Sequence, residues 1–275
     1  MKTSTLEHHS CRLAYDVEGS GPPVVLIQGV GIHGAGWMPQ VAALRERFQC
    51  LTFDSRGMGR SQPQGSRITV EQMADDTVAL MDHLGWESAH VIAHSLGGLV
   101  ALHLALTLPA RVRSLSLLCT FARGRDATRL SGRMLWLGLR SRIGTSRMRR
   151  RAFLQIVMPP HALAGVDLDG MAAELAPLFG HDLADQPPVA MKQLAALRAY
   201  DATDRLSEIV HVPALVISAA HDPIAPPRSG RALAGGIPGA RYVEFSQASH
   251  GVPIQLSGEV NAMLLEHLLR AERTT

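Results

Sequence analysis

Short apolar runs that alternate with helix-like runs constrain this chain more than any other feature of it. "PPVVLIQG", "FQCLTFD", "AHVIAH", "VRSLSLLCT", "VPALVISAAHD" and "ARYVEFSQ" each carry one compact apolar run. Runs of that length read as short, fully buried strands, and "CRLAYDVEG" adds another ahead of them. Between them fall a helix-like run from about Trp37 to Arg47, the amphipathic "TVEQMADDTVALMDHLG" with Gly85 as its stop, a helix after Ser95 and a last helix from about Leu256. This order predicts an α/β fold: a mostly parallel sheet covered by helices on both faces.

The alternation breaks at about Phe121. Residues 121–207 read as helical without convincing strands, punctuated by "VMPPH" and "QPPVAM". The expected division is a core of residues 1–120 and 208–275 with a helical cap or lid at 121–207, because long inserts of this kind usually serve function. A length of 275 residues suits one such domain.

"HVIAHSLGGLVALHL" places Ser95 at the seam between a strand-like and a helix-like run. A helix-capping serine explains the residue itself but not the small residues around it. Ala93-His94-Ser95-Leu96-Gly97 is one residue off GxSxG, whose tight strand-to-helix turn needs small side chains two before and two after the serine. Ser95 also falls at a helix N-terminus, where developing negative charge is favoured. A nucleophilic serine needs a base, and the base needs an orienting acid. His221-Asp222-Pro223 and Ala248-Ser249-His250-Gly251 both follow strand-like runs, in the order serine, acid, histidine. The expected catalytic set is Ser95, Asp222 and His250, from three loops on one sheet edge.

Gly29-Val30-Gly31-Ile32-His33-Gly34 matches GxGxxG after a strand, with Asp54 placed 20 residues beyond Gly34. That is the pattern of a dinucleotide site, so a nicotinamide or flavin oxidoreductase competes. Local detail counts against it. Gly36 and Pro39 put the helix start near Met38, too late to meet a pyrophosphate.

"VVLIQGVG", "TFDSRGMGRS", "VIAHSLGG", "VPALVISAAHDPIAP" and "QASHGVPIQ" together resemble the α/β-hydrolase superfamily over nearly the whole chain. The resemblance implies the α/β-hydrolase fold, a mostly parallel central sheet flanked by helices, into which the helical lid at 121–207 is inserted without a match of its own. It implies an oxyanion hole from the N–H groups of Val30 and Leu96, with Gly29 and Gly31 allowing close approach. His33, Gly29 and His94 are the expected substrate-lining residues, although His94 also suits plain packing against its neighbours. Gln28 stands where relatives often have histidine, and Ala93 where they often have glycine. A serine nucleophile argues against the dehalogenase and epoxide-hydrolase relatives, which attack with aspartate.

The reaction so implied is hydrolysis of a small-molecule carboxylic ester or lactone through an acyl-enzyme on Ser95, with no cofactor. A carbon–carbon bond hydrolase of ring-cleavage products and a perhydrolase are alternatives on the same residues. A ligand receptor with slow turnover is the alternative of another class. Asp126 is the other acid past the "SLSLLCT" strand, amid arginines. Asp54 and Arg56 read as loop-holding residues. The remaining histidines show no spacing with carboxylates that argues for a metal.

Charge is unevenly spread. Ten arginines from Arg123 to Arg151 face one acid, Asp126, a local +9 in a chain of net +3. The ordinary reading is a solvated face whose arginine stems cover apolar surface. The functional readings are attraction of an anionic substrate or loose contact with an anionic membrane surface. Nucleic acid is not expected, since no binding motif accompanies the charge. Cys11, Cys50 and Cys119 show no pairing or metal spacing, and no apolar leader opens the chain, so a cytoplasmic location is expected. Nothing in the sequence bears on oligomeric state.

Overall fold

The computed structural model describes residues 4–63, 67–128 and 132–273. Eight strands form one sheet: β1 (Ser4–His8), β2 (Cys11–Glu18), β3 (Pro23–Ile27), β4 (Gln49–Phe53), β5 (Ala89–His94), β6 (Val112–Leu118), β7 (Ala214–Ala219) and β8 (Arg241–Phe245). Their spatial order is β1-β2-β4-β3-β5-β6-β7-β8, antiparallel at β1–β2–β4 and parallel from β4 to β8. Every residue of β5 and β7 is buried, as a sheet covered on both faces requires.

The helices of the core are α1 (Met38–Leu44), α2 (Val70–His83) and α3 (Leu96–Thr107), and, past the insertion, α9 (Pro227–Gly236), α10 (Val252–Gln255) and α11 (Ser257–Glu272). Thr69 caps α2 through its side chain, and Gly85 beyond its end takes a φ of 71°. Helix α3 is apolar nearly all round and runs through the interior. None of the described helices is long and apolar enough to cross a membrane.

Between β6 and β7 lie α4 (Gly132–Arg140), α5 (Ser146–Val157), α6 (Pro160–Leu163), α7 (Leu168–Phe179) and α8 (Ala190–Ala199), with no strand among the described residues. The insertion divides in its packing. Leu154, Val157, Leu175, Phe179 and Leu183 build a satellite core, whereas Val189, Ala196 and Leu197 around α8 join the main one. Ile32 and Ile224, on loops of the core, and Ile254, in α10, pack against the satellite clusters.

The arginine run is answered in part within the insertion, where four of its ten arginines pair with acids among the described residues. Arg147 pairs with Asp169 at 2.8 Å, Arg149 with Asp185 at 3.6 Å, and Arg150 with Asp182. Arg123 pairs with Asp126 at 3.1 Å, and Arg140 lies over the Trp136 ring. Arg129 and the side chain of Arg133 lie outside the described residues. Asp169, Asp182 and Asp185, which pair with three of these arginines, come later in the chain, so a count confined to the run leaves them out.

Candidate active site

The parallel strands share a direction, so the loops after their C-terminal ends share an edge. Ile27 pairs with Ala93, His94 with Leu118, Leu118 with Ile217 and Ala219 with Phe245, which sets those loops side by side. Ser95, Asp222 and His250 come from the loops after β5, β7 and β8.

Ser95 occupies φ 54° and ψ −118°, a conformation that L-residues rarely adopt. Its N–H donates to the Leu118 carbonyl at 3.0 Å, and its own carbonyl accepts from Gly98 N–H at 2.9 Å and from Thr120 Oγ1 at 2.7 Å. Three bonds therefore hold a backbone that would otherwise relax. The small neighbours have a measurable reason. A Cβ on Gly97 would stand 2.3 Å from the Ile27 carbonyl oxygen, and one on Gly98 would stand 2.3 Å from Thr120 Oγ1. The first obstacle is backbone and cannot move aside. Gly97→Ala is therefore expected to lower the melting temperature by about 5 °C or more and to abolish activity, since overpacking costs typically 1–3 kcal/mol and here falls on the turn itself. Calorimetry and turnover check it; unchanged stability would remove this explanation of the motif.

Asp222 and His250 are joined by a hydrogen bond of 2.8 Å from His250 Nδ1 to Asp222 Oδ2. Asp222 Oδ1 accepts from the N–H groups of Ile224 (2.8 Å) and Ala225 (2.9 Å). Burial alone would raise this carboxyl's pKa, but the His250 charge and these hydrogen bonds outweigh it, so Asp222 is held below the ordinary carboxylate range. It is an acceptor fixed on both oxygens. Ser95, Asp222 and His250 are only 5%, 4% and 6% exposed. The insertion reaches this edge: Gly251, next to His250, donates to the Val157 carbonyl of α5 at 2.8 Å.

The glycine-rich loop after β3 lies against the serine. A Cβ on Gly29 would stand 3.0 Å from Ser95 Cβ and 3.3 Å from His94 Nδ1. The N–H of Gly29 faces Gln28 Oε1 at 3.3 Å, and that of Gly31 donates to Gln193 Oε1 at 2.8 Å. Among the described residues the intervening Val30 N–H has no acceptor, and neither has Leu96 N–H. Gln28, where relatives often carry histidine, is buried with its amide against Gly36.

The dinucleotide reading fails on its own residues. Asp54 is fully buried, with Oδ1 accepting from Gly34 N–H (2.9 Å) and Oδ2 from the Arg60 N–H and Nε (both 3.0 Å). Gly34 is glycine because a Cβ there would meet the backbone of Phe53 at 2.9 Å. Arg56 likewise holds loops, pairing with buried Asp76 and donating to the carbonyls of His8 and His9.

Two expected substrate-lining residues do other work. His94 is buried; its Nε2 meets the His250 carbonyl at 2.9 Å and its ring lies 4.7 Å from that of His250. Burial first, then the charge of His250, pushes its pKa down to about 3, so the neutral ring braces the His250 backbone. His33 sits between Gly59, Asp54, Gly180 and His181, where a Cβ on either glycine would strike its ring. It ties the loop to the insertion, and none of these contacts is with Ser95, Asp222 or His250. Asp126, the rival acid, is spent on Arg123.

Buried histidines also make the fold sensitive to acid. His267, on α11, meets the Leu115 carbonyl at 3.0 Å, and burial pushes its pKa down to about 4. The unfolded chain titrates near 6.5. Below that value the unfolded state takes up protons that folded His94 and His267 refuse, so stability falls with falling pH down to about pH 4. Each adds a slope of about 1.4 kcal/mol per pH unit inside its window. His267→Gln, which keeps a donor but not the titration, should flatten the decline in melting temperature between pH 6 and 4.5. An unchanged profile would show that His267 contributes nothing to it.

His94, Cys119 and His250 bring three potential ligand atoms within 4.8 Å of one another. They do not suit a metal as they stand. Burial, then the Asp222 charge, pushes the Cys119 thiol well up, away from the thiolate a metal takes. Thr120 and Gln193 were not expected at the site from sequence. Thr120 only follows a strand, and Gln193 lies in an insertion with no recognisable motif.

A family model described as alpha/beta hydrolase fold matches residues 22–255. The chain is 31% identical over 256 residues to "Putative carbamate hydrolase RutD" of Azorhizobium caulinodans, covering 92% of this chain and 93% of that protein. Among solved structures, the enol-lactonase from Burkholderia xenovorans LB400 superposes with a TM-score of 0.81 at 28% identity, covering 97% of this chain and all of the other. The meta-cleavage product hydrolase from Pseudomonas fluorescens IP01 superposes at 0.78 with 21% identity over 98% of both chains, a likeness of fold alone.

Proposed function

We propose, for a chain that belongs to the alpha/beta hydrolase fold family, that it is a serine hydrolase of small acyl substrates, acting through an acyl-enzyme on Ser95. The observation that carries this reading is the strained Ser95 at the β5–α3 corner, facing a loop edge that also holds the buried Asp222–His250 pair. A capping serine has no use for such strain.

In this mechanism Asp222 accepts the Nδ1–H of His250 and so keeps Nε2 free to take the Ser95 proton. The serine oxygen attacks the substrate carbonyl. The charge that develops on the carbonyl oxygen is met by the N–H groups of Val30 and Leu96, the two donors left unspent beside the serine, and removing one such donor costs ~10²–10³ in kcat. His250 then protonates the departing group, and water activated by the same imidazole releases the acyl group. Residues 121–207 act as the lid that excludes bulk water during these steps.

The substrate carries a carbonyl flanked by an oxygen or nitrogen leaving group. Esters and lactones meet that description, and the enol-lactonase likeness supports the latter. The name of the 31% identical relative favours a second reading, a carbamate. All three share the same attack: an ester or an aryl carbamate expels an alcohol and leaves an acyl- or carbamoyl-enzyme, while a lactone opens with its alcohol still tethered. A panel of chromogenic esters of increasing acyl length, with matched lactones and aryl carbamates, separates them by kcat/KM. Turnover of none, by a folded protein whose Ser95 still reacts with a fluorophosphonate, would favour the ligand receptor instead.

A further inference from the structure

Gly31 is gripped from both sides by the insertion. Its N–H donates to Gln193 Oε1 of α8 at 2.8 Å, and its carbonyl meets His181 Nε2, between α7 and α8, at 3.0 Å. Gly31 has a φ of 74°, a conformation that needs glycine, and glycine is the residue least able to hold its own backbone. It immediately follows Val30, whose N–H is the proposed oxyanion donor. Gln193 is fully buried, yet its Nε2 has no partner among the described residues. Leucine or methionine would fill that volume without stranding a donor, so the contact made by Oε1 is what the position retains.

We infer that Gln193 and His181 are positioning residues that set the oxyanion hole from the lid. Gly29 lies close against Ser95 on one side of Val30, and Gly31 is held by these two side chains on the other. The Val30 N–H is thereby aimed at the substrate oxygen only while the insertion is seated. Closing the lid completes the hole, and lifting it for substrate entry dismantles it. The inference rests on the serine-hydrolase reading for its catalytic consequence, but the grip itself can be tested without turnover.

The experiment uses Gln193→Met, which keeps volume and removes the acceptor, Gln193→Glu, which restores an acceptor oxygen, and His181→Phe. Hydrogen exchange of the peptide spanning residues 28–34 should speed up in Gln193→Met and His181→Phe and recover in Gln193→Glu, with other peptides unchanged. kcat for a chromogenic ester should fall about 10- to 100-fold with KM within threefold, less than the loss of a whole donor. Affinity for a boronic acid that mimics the tetrahedral intermediate should fall with it. Unchanged exchange at 28–34 would show that no grip exists. Faster exchange with kcat kept within twofold would show that the grip does not position the hole, and a global loss of protection would assign Gln193 to packing alone. A wild-type protein inert toward every substrate and toward fluorophosphonate would refute the hydrolase reading, leaving the exchange result to judge the grip.

Discussion

Ser95→Ala is expected to lower kcat/KM for the best ester, lactone or carbamate by about 10⁴ or more while leaving the fold as stable as wild type. The kinetic half follows from the loss of the only atom that forms the covalent bond. The stability half follows from the structure: among the described residues the Ser95 hydroxyl has no hydrogen-bond partner, so its removal strands nothing. The strained backbone is held by the carbonyl and N–H of residue 95, which alanine keeps. A shift in melting temperature of more than a few degrees would show that the serine holds the turn rather than attacks. A residual rate within tenfold of wild type would place the chemistry elsewhere.

Asp222→Asn should cost ~10⁴ in kcat, the loss measured for the comparable change in a serine protease. Here the two faces of the side chain make the outcome specific. Oδ1 receives two backbone N–H groups, from Ile224 and Ala225, so the asparagine oxygen must stay on that side. Its NH₂ group is then turned to His250 Nδ1, which becomes an acceptor, and the imidazole proton moves to Nε2. A ring protonated there cannot take the Ser95 proton. Asp126→Asn, at a carboxylate paired with a part-exposed arginine, should change kcat less than twofold. If the two variants exchanged these results, the acid would be Asp126.

The fold was readable because a parallel sheet buried on both faces leaves uninterrupted apolar runs, and because Gly85 and Pro39 punctuate the helices beside them. Strand β1 was not. "STLEH" is a half-exposed edge strand with no alternation, and its turn uses His9 and Ser10 at positive φ, where glycine or asparagine would be the usual signal. The site was legible where backbone geometry restricts residue type, as at Ser95, Gly97 and Gly29. It was illegible where a side chain acts through a distant partner. Gln193 meets Gly31 across 162 residues of sequence, and His94 braces a carbonyl 156 residues away. Asp54, whose spacing from the glycines also matched a ribose ligand, does hold loops, accepting from Gly34 after β3 and from Arg60 after β4.

Intact-protein mass spectrometry after exposure to a fluorophosphonate tests the central claim most directly. Wild-type protein should gain one adduct, mapped by peptide sequencing to Ser95, with turnover lost in proportion to labelling. Asp222→Asn should label far more slowly, and Ser95→Ala should remain unmodified. A folded wild-type protein that hydrolyses the substrate panel while Ser95 stays unmodified, or that carries the adduct on another residue, would contradict the acyl-enzyme on Ser95.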